Sequence, residues 1–253
     1  MDIRLKPKHQ YELLRIGNKN DGGYLVERSS FQNSNLLIGL GINDDWSFEK
    51  NFKKDFIGVD NQLSFKFLFK KFLLSFIPIF SRVAILNPLY SFLKIIDYLS
   101  MRDKFIQATV SDYDNSELGF ISLKTIFTKI IKNPIKSKVF LKSDIEGSEY
   151  RILNDILKYE NFLSGLVIEF HDVDLNKDKI IDFSNKLNLE LVHIHPNNFG
   201  GVDSKNNPLV LEISYSKNPK KIGDTPKLPN ALDRPNDIKR RELNLNFMEK
   251  WKF

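Results

Sequence analysis

The fold is decided by the stretch Val139-Phe140-Leu141-Lys142-Ser143-Asp144-Ile145-Glu146-Gly147-Ser148-Glu149. A short apolar strand runs here into carboxylates and then into residues with the spacing of a helix. In open α/β sheets, ligands bind in the crevice beyond the carboxyl ends of the strands. Because acids in that position face a bound molecule, we expect the functional site at this edge of the sheet.

Other short apolar runs alternate with helix-like stretches on both sides of this segment. Strands are predicted at 35–41, 55–60, 105–110, 138–142, 165–170, 189–194 and 209–213, and helices at 47–52, 147–159 and 177–187. The link between the last two strands is rich in Asn, Gly and Pro, which favours an antiparallel hairpin. The alternation predicts a Rossmann-like, doubly wound α/β fold, in which a mostly parallel seven-stranded sheet ends in a C-terminal antiparallel hairpin.

Composition limits the remaining possibilities. No Pro/Gly/Ser-rich linker divides the 253 residues, so we expect a single domain over 1–253. The absence of cysteine excludes disulfides, zinc–thiolate sites and cysteine nucleophiles. The first residues lack the apolar segment of a secretory signal, so the expected localisation is cytoplasmic.

The net charge of +6 is unevenly distributed. Lys and Arg exceed the acids in 61–104 and again in 216–253, which we interpret as a basic C-terminal extension. Local basic surfaces of this kind favour an anionic substrate or a membrane face. No nucleic-acid partner is expected, because the sequence contains no zinc-finger, helix-turn-helix or aromatic RNA-binding pattern.

Residues 61–104 interrupt the alternation of strands and helices. They are rich in Phe, Leu, Ile and Lys and are far longer than a crossover needs. Lysines and Pro78 break the apolar run, so a transmembrane helix is not predicted. We expect a helical insert after the second strand, with three alternatives: a cap over the sheet, a homodimer interface, or a peripheral membrane contact that serves a lipid-linked acceptor.

A glycine turn follows the first predicted strand of the sheet. Gly39 and Gly41 allow the backbone to approach a ligand, and Asp60, about twenty residues further on, can accept hydrogen bonds from a ribose. Asp44 and Asp45 stand where a dinucleotide site would hold its pyrophosphate, and they favour a cationic or neutral ligand. The pattern therefore favours a sulfonium-bearing adenosine cofactor over NAD. A simple strand–helix turn is the alternative for the glycines alone.

Four parts of the sequence together resemble one known family. They are residues 15–26, residues 39–49, residues 142–153 with 166–171, and residues 193–201. Together they resemble the FkbM-type methyltransferase family over about residues 15–215. The run Asp144-Ile145-Glu146-Gly147 is the most specific piece, and the insert is not covered. The resemblance implies a class I fold that uses S-adenosyl-L-methionine for O-methylation. The acceptor it implies is saccharide-like or a small molecule, in cell-surface polysaccharide or secondary-metabolite biosynthesis.

The resemblance also implies roles for individual residues. The two glycines of the turn approach the methionine part of the cofactor, the acid of the second strand binds the ribose, and Ser111 or Asp112 lies near adenine. The implied cofactor-binding set is Asp21, Gly22, Gly39, Gly41, Asp45, Asp60, Ser111, Asp112 and Asp144.

Methyl transfer to an oxygen requires a positioned acceptor and removal of its proton. The candidate catalytic residues are Asp144, Glu146, His171 and His195. Asp144, Glu169 and His171 could instead gather a divalent cation such as Mg²⁺. Ser143 and Glu146 also fit a helix-capping box, in which the acids are structural. A non-catalytic cofactor-binding or scaffold protein with the same fold remains the alternative function.

Overall fold

The computed structural model describes residues 1–77, 87–130 and 138–248. The strands are β1 (Gln10–Tyr11), β2 (Leu13–Gly17), β3 (Gly23–Glu27), β4 (Leu36–Leu40), β5 (Asp55–Asp60), β6 (Phe105–Gln107), β7 (Thr109–Ser111), β8 (Phe120–Ser122), β9 (Val139–Ser143), β10 (Leu163–Phe170), β11 (Glu190–Pro196), β12 (Leu211–Ser216) and β13 (Lys221–Gly223). The α-helices are α1 (Arg28–Asn33), α2 (Ser47–Asn51), α3 (Phe65–Leu74), α4 (Pro88–Ser100), α5 (Leu123–Ile130), α6 (Glu149–Tyr159) and α7 (Val173–Lys186).

Seven of these strands form one sheet in the order β11-β12-β10-β9-β4-β5-β6. Neighbours from β10 to β6 are parallel, whereas β12 is antiparallel to both β10 and β11. The predicted Rossmann-like sheet with its terminal hairpin is therefore confirmed. The strand order reverses between β4 and β9, and open α/β sheets bind their ligands beside such a reversal.

Helices cover both faces of the sheet because successive side chains of a strand point to opposite sides. Ile38, Leu141 and Ile168 pack on one face in a core that includes α5, α6 and α7. Leu37 and Phe140 point to the other face, where the aromatic residues of α1 and α2 cover them. Strands buried on both faces explain the continuous apolar runs from which they were predicted.

One predicted strand, 105–110, is divided in the structure. Its first half is β6, which pairs with β5, and its second half is β7, which pairs with β8 in a separate two-stranded sheet. The division falls at Ala108, whose N–H donates to the carbonyl oxygen of Asp60 at 3.2 Å. That bond continues the pairing of β6 with β5. The change of partner begins at Thr109, whose N–H donates to the carbonyl oxygen of Gly119 at 2.8 Å, and the local apolar pattern does not reveal it.

The helices α3 and α4 belong to the predicted insert, of which residues 78–86 lie outside the described residues. Leu68 of α3 and Ile95 of α4 pack with Ile42, Trp46 and Leu63 in a small core beside the glycine turn. This packing attaches the insert to the carboxyl edge of the sheet. No helix among the described residues has both the length and the apolar character needed to cross a bilayer.

The described part of the C-terminal extension runs back over the sheet. Asn20 donates through its side-chain amide to the carbonyl of Pro235 at 2.7 Å, and Ile3 N–H donates to the carbonyl of Met248 at 2.9 Å. Residues 249–253 of the extension lie outside the described residues. The extension therefore contacts the N-terminal segment and the loop that joins β2 to β3.

Candidate functional site

A cavity of about 350 Å³ opens at the carboxyl edge of the sheet, beside the reversal of strand order. The predicted site residues that line it are Asp21, Gly22, Gly41, Asp45, Asp60, Asp144 and Glu146. A larger cavity, of about 730 Å³, lies beside Lys138 and Leu163 at the amino ends of β9 and β10. Because ligands of this fold bind at the carboxyl ends of the strands, we take the smaller cavity as the candidate site.

Gly41 holds the glycine turn against both neighbouring strands. Its φ is +73°, a left-handed conformation that favours glycine. A Cβ atom at this position would lie 1.6 Å from the carbonyl oxygen of Asp144, so a side chain is also excluded by space. Gly41 N–H donates to the carbonyl of Val59 at 2.9 Å. The turn after β4 is thus fixed between the ends of β5 and β9.

Asp60 anchors the same turn through the backbone. Its Oδ2 accepts hydrogen bonds from the N–H groups of Ile42 and Asn43, at 3.0 and 2.8 Å. Its Oδ1 accepts from the N–H groups of Gln62 and Leu63, at 2.7 and 2.8 Å. Since a carboxylate offers about four acceptor positions, the backbone already occupies them. A ribose hydroxyl at Asp60 would have to share one of these positions.

The two acids after the glycine turn differ in their surroundings. Asp44 Oδ2 accepts from Lys71 Nζ at 2.7 Å and lies 3.5 Å from Lys94 Nζ. Burial opposes ionisation of Asp44, but the two lysines outweigh it and lower the pKa of this carboxyl. Asp45 instead accepts a hydrogen bond from the Asn18 amide. The predicted repulsion of a pyrophosphate therefore rests on Asp45, because lysines of the insert compensate Asp44.

Lys142 is a buried cation that the sequence analysis did not select. Its Nζ donates to the carbonyl of Gly41 at 2.6 Å and lies 3.7 Å from Asp144 Oδ2. Burial disfavours the charged lysine, but the charges of Asp144 and Glu49 outweigh burial and raise its pKa. The lysine therefore compensates part of the acidic charge around the cavity while it holds the glycine turn.

Gly39 lies outside the cavity lining, unlike Gly41. In the register of the sheet it is level with Lys142, and the carboxylate of Glu49 covers it. A Cβ atom on Gly39 would lie 2.4 Å from Glu49 Oε1. The glycine thus makes room for a buried side chain of α2, whereas its predicted role was an approach to the cofactor.

Asp144, Glu169 and His171 meet at the ends of β9 and β10. One possible ligand atom from each lies within 4.8 Å of the others. His171 Nε2 is 3.6 Å from Glu169 Oε1 and 3.4 Å from Glu146 Oε2. The structure therefore brings together the three residues that were proposed from sequence as a cation site, with Glu146 at their exposed side.

Glu149 orients His171 and was not selected from the sequence. Its Oε1 accepts from the N–H groups of Ile145 and Gly147, at 2.9 and 3.3 Å, and lies 3.2 Å from His171 Nδ1. A histidine that donates from Nδ1 to a carboxylate presents the lone pair of Nε2 on its other side. That side faces the cluster. Burial lowers the pKa of His171, but Glu149, Asp144 and Glu146 outweigh burial and raise it.

The predicted capping box does not form. Helix α6 begins at Glu149, and Glu146 precedes it with a left-handed φ of 52°. Ser143 Oγ is buried with no hydrogen-bond partner among the described residues. Glu149 occupies the backbone N–H groups before the helix instead, which leaves the Glu146 side chain 86% exposed at the cavity mouth.

Tyr24 joins Asp144 to Glu169. Its hydroxyl is 2.9 Å from Asp144 Oδ2 and 3.0 Å from Glu169 Oε2, but it has one proton to donate. Burial, followed by the charges of Asp144, Glu212 and Asp21, raises the pKa of Glu169 well above its usual value. A protonated Glu169 can therefore donate to Tyr24, which then donates to Asp144. The only sequence signal for this tyrosine was its place after a Gly-Gly turn.

His195 is level with Glu169 but two strands across the sheet, and it is held between two carboxylates. Its Nδ1 is 3.2 Å from Glu212 Oε2, and its Nε2 is 3.0 Å from Glu242 Oε1. Burial alone would lower the pKa of His195, but the two glutamates raise it to about 10. A histidine that is cationic at neutral pH, with both nitrogens engaged, cannot serve as the predicted base.

Ser111 and Asp112 also lie beside the cavity, not in its lining. Ser111 is buried and its hydroxyl donates to Asp112 Oδ1 at 3.1 Å, while Asp112 is exposed. The preceding residues Ala108, Thr109 and Val110 line the cavity. Any adenine on this side would therefore meet residues 108–110 before it met the two predicted residues.

Three non-glycine residues with left-handed backbone lie at this edge of the sheet. Asn43, Glu146 and Asp172 have φ values of 51°, 52° and 47°, and they follow β4, β9 and β10 respectively. Such conformations cost roughly 1–3 kcal/mol each and persist where the surrounding structure holds them, often at functional sites. The location of all three residues at the carboxyl edge of the sheet agrees with a functional site at that edge.

No protein-family model matches the sequence, and no curated protein gives a significant match. Among solved structures, the methyltransferase domain of bacterial CtHen1-CN matches with a TM-score of 0.34 and 9% sequence identity. The match covers 73% of this chain and 91% of that one. At this level of similarity, the assignment of the fold depends on the strand order of the sheet itself.

Proposed function

We propose that this protein is an S-adenosyl-L-methionine-dependent methyltransferase of the FkbM type that methylates an oxygen of a saccharide-like or small-molecule acceptor. One observation carries the proposal. The cavity beside the Gly41 turn is bordered by Asp144, whose carboxylate belongs to the cluster with Glu169 and His171. A cofactor position and an acceptor position therefore adjoin at the edge where this fold binds ligands.

The charge of the lining supports a cationic cofactor. Among the lining residues that the structure describes, Lys142 is the one lysine or arginine, whereas Asp21, Asp45, Asp144 and Glu146 contribute carboxylates. A sulfonium and an ammonium group gain Coulomb energy in such surroundings, while a pyrophosphate loses it. This charge balance favours S-adenosyl-L-methionine over NAD or a nucleotide sugar.

The transfer step is a displacement at the methyl carbon. The acceptor oxygen forms a bond to that carbon as the carbon–sulfur bond breaks, and the electron pair remains on sulfur as a neutral thioether. The acceptor hydroxyl must lose its proton, and Glu146, which is exposed at the cavity mouth, is the carboxylate we assign to accept it. Asp144 would orient the acceptor oxygen from the end of β9.

A divalent cation such as Mg²⁺ forms a second part of the proposal. The cluster offers the carboxylate of Asp144, the carboxyl of Glu169, which would give up its proton to a bound cation, and a nitrogen of His171. Glu149 fixes the histidine from its other side. A cation there would lower the pKa of the acceptor hydroxyl and hold a neighbouring oxygen. In that arrangement His171 is a ligand and not the base.

Calorimetric titration with S-adenosylhomocysteine tests the cofactor assignment. We expect binding that NADH does not compete for. Asp60→Asn should weaken it by about 1–3 kcal/mol, because the amide cannot hold the turn as the carboxylate does. Asp182→Asn, on the exposed face of α7, is the matched control. No binding by the folded wild-type protein at millimolar ligand would refute the assignment, and binding without turnover of any glycan would favour the non-catalytic alternative.

A further inference from the structure

The insert helices leave large apolar side chains in contact with solvent. Phe76 after α3 is 60% exposed, and Leu89 and Leu93 of α4 are 66% and 53% exposed. Elsewhere in the described chain, exposed apolar residues such as Leu118 and Leu175 are scattered over separate elements. Contiguous apolar patches are rare on soluble surfaces and mark sites that another molecule or a membrane covers.

Helix α3 is apolar on two sides. Leu68 points into the core of the insert, whereas Phe65, Phe69 and Leu73 are exposed. The three exposed residues recur every four positions and therefore form one stripe along the helix. Packing against the domain accounts for the first side and leaves this stripe unexplained.

Helix α4 has the same arrangement. Ile95 is buried with Trp46, while Leu89, Leu93 and Ile96 are exposed at spacings of four and three residues. The two helices are packed against each other, and a contact between the rings of Phe72 and Phe92 joins them. Together, the stripes form a paired-helix surface, defined by the exposed residues of α3 and α4.

The rim of the paired-helix surface is cationic. Lys66 and Lys70 are exposed on α3 immediately after Phe65 and Phe69, and this helix contains no acid. The acid of α4, Asp97, already accepts hydrogen bonds from Lys50 and Trp46. A second copy related by a two-fold axis would bring the same lysine-bearing rim to the contact, whereas anionic lipid headgroups complement it.

We propose that the paired-helix surface docks this protein onto an anionic membrane surface. Aromatic and aliphatic side chains would enter the interface between headgroups and acyl chains, and the lysines would contact anionic headgroups. The insert is tied to the candidate site, because Lys71 and Lys94 both reach Asp44 in the cavity lining. Docking would therefore place the cavity beside the membrane. The proposal goes beyond methyl transfer and does not depend on it.

Flotation with lipid vesicles tests this proposal. The full chain should float with vesicles that contain phosphatidylglycerol and bind vesicles of phosphatidylcholine alone at least fivefold more weakly. The variant Phe69→Ser/Leu73→Ser/Leu93→Ser should lose at least nine-tenths of the binding. Lys66→Glu/Lys70→Glu should remove the preference for phosphatidylglycerol. Because all five side chains are exposed, we expect both variants to fold and to keep the thermal unfolding transition of the wild type.

Matched controls carry the same types of change outside the insert. Leu118→Ser/Leu175→Ser and Lys53→Glu/Lys124→Glu alter exposed residues and should float as the wild type does. Wild-type protein that stays with neither vesicle overturns the proposal. The proposal is also overturned if the wild type binds no vesicle, sediments as a dimer, and becomes a monomer in the serine variant. In that case the paired-helix surface joins two copies of the chain. The serine variant should bind S-adenosylhomocysteine as the wild type does. This titration therefore distinguishes failure of the membrane proposal from failure of the proposed function.

Discussion

At the scale of residues, the site depends on buried charges that compensate one another incompletely. Glu49 is fully buried, and neither of its carboxylate oxygens has a hydrogen-bond partner among the described residues. Lys142 lies close enough to influence its ionisation, but it donates its hydrogen bond to the carbonyl of Gly41. A carboxylate without partners in an apolar setting is stable mainly in its neutral form.

Glu49→Gln should therefore stabilise the fold increasingly as the pH rises. Burial, partly offset by Lys142, raises the pKa of Glu49 from 4.5 to about 7 in the folded state. The wild type loses stability as the pH rises from 4.5 through 7, because the unfolded chain gives up this proton more readily. The difference in free energy of unfolding should grow over that window by up to about 3 kcal/mol and then remain level.

Urea unfolding of both proteins across this pH range measures the effect. The exposed Glu117→Gln is the control and should show no such growth. A difference between Glu49→Gln and wild type that is independent of pH would mean that Glu49 is ionised throughout, with Lys142 as its effective partner.

At the scale of elements, the positions of the main-sheet strands along the chain and the carboxyl edge of the sheet could be predicted from sequence. Strands β4, β9 and β10 are buried on both faces, so their apolar runs are continuous and easily identified. The ends of parallel neighbours share one edge, which is why Asp144, Glu169 and His171 could be expected to converge. These predictions needed only local patterns and the geometry of a parallel sheet.

The remaining features depend on contacts between distant parts of the chain. Tyr24 reaches the cluster because β3 packs against β10 and β12, and nothing in its own segment predicts that packing. In the sequence, Lys142 is one polar residue in an apolar strand, and its burial could not be predicted from that pattern. His195 was selected as a loop histidine, but its partner Glu242 follows 47 positions later.

The proposed cation site would take its ligands from the ends of two strands, β9 and β10. We expect Mn²⁺, used as a spectroscopic substitute for Mg²⁺, to bind the folded chain. Asp144→Asn should weaken Mn²⁺ binding by at least about tenfold. Glu149→Gln should weaken it by about 10–100-fold, because the amide orients His171 less firmly. The electron paramagnetic resonance signal of free Mn²⁺ measures the affinity without requiring an acceptor.

Asp182→Asn again serves as the control for the removal of one carboxylate. Equal Mn²⁺ affinity in all variants would show that the cation binds elsewhere. His171 would then be available as the base for the acceptor proton. Retention of S-adenosylhomocysteine binding in Asp144→Asn would show that a loss of cation affinity does not reflect unfolding.

At the scale of the whole molecule, contacts between histidines and carboxylates join the C-terminal extension to the sheet. His193 Nε2 lies 2.8 Å from Asp233 Oδ1, and His195 lies between Glu212 of β12 and Glu242 of the extension. Asn236 donates to Glu212 Oε1 at 2.6 Å and so continues the same network. The extension therefore closes over the strand ends next to the candidate site.

His195→Gln should loosen this closure in a way that depends on pH. The pKa of His195 is raised from 6.5 to about 10, so the stabilisation is fully present below pH 6.5 and is lost as the pH rises through 10. Near pH 6 we expect the variant to be less stable by about 3 kcal/mol, as when one partner of a buried ion pair is removed. Urea unfolding from pH 6 to pH 10 should show the two proteins converge. Limited proteolysis near pH 6 should cut the variant faster within 224–248, whereas a uniform loss of protection along the chain would contradict a local role in closure.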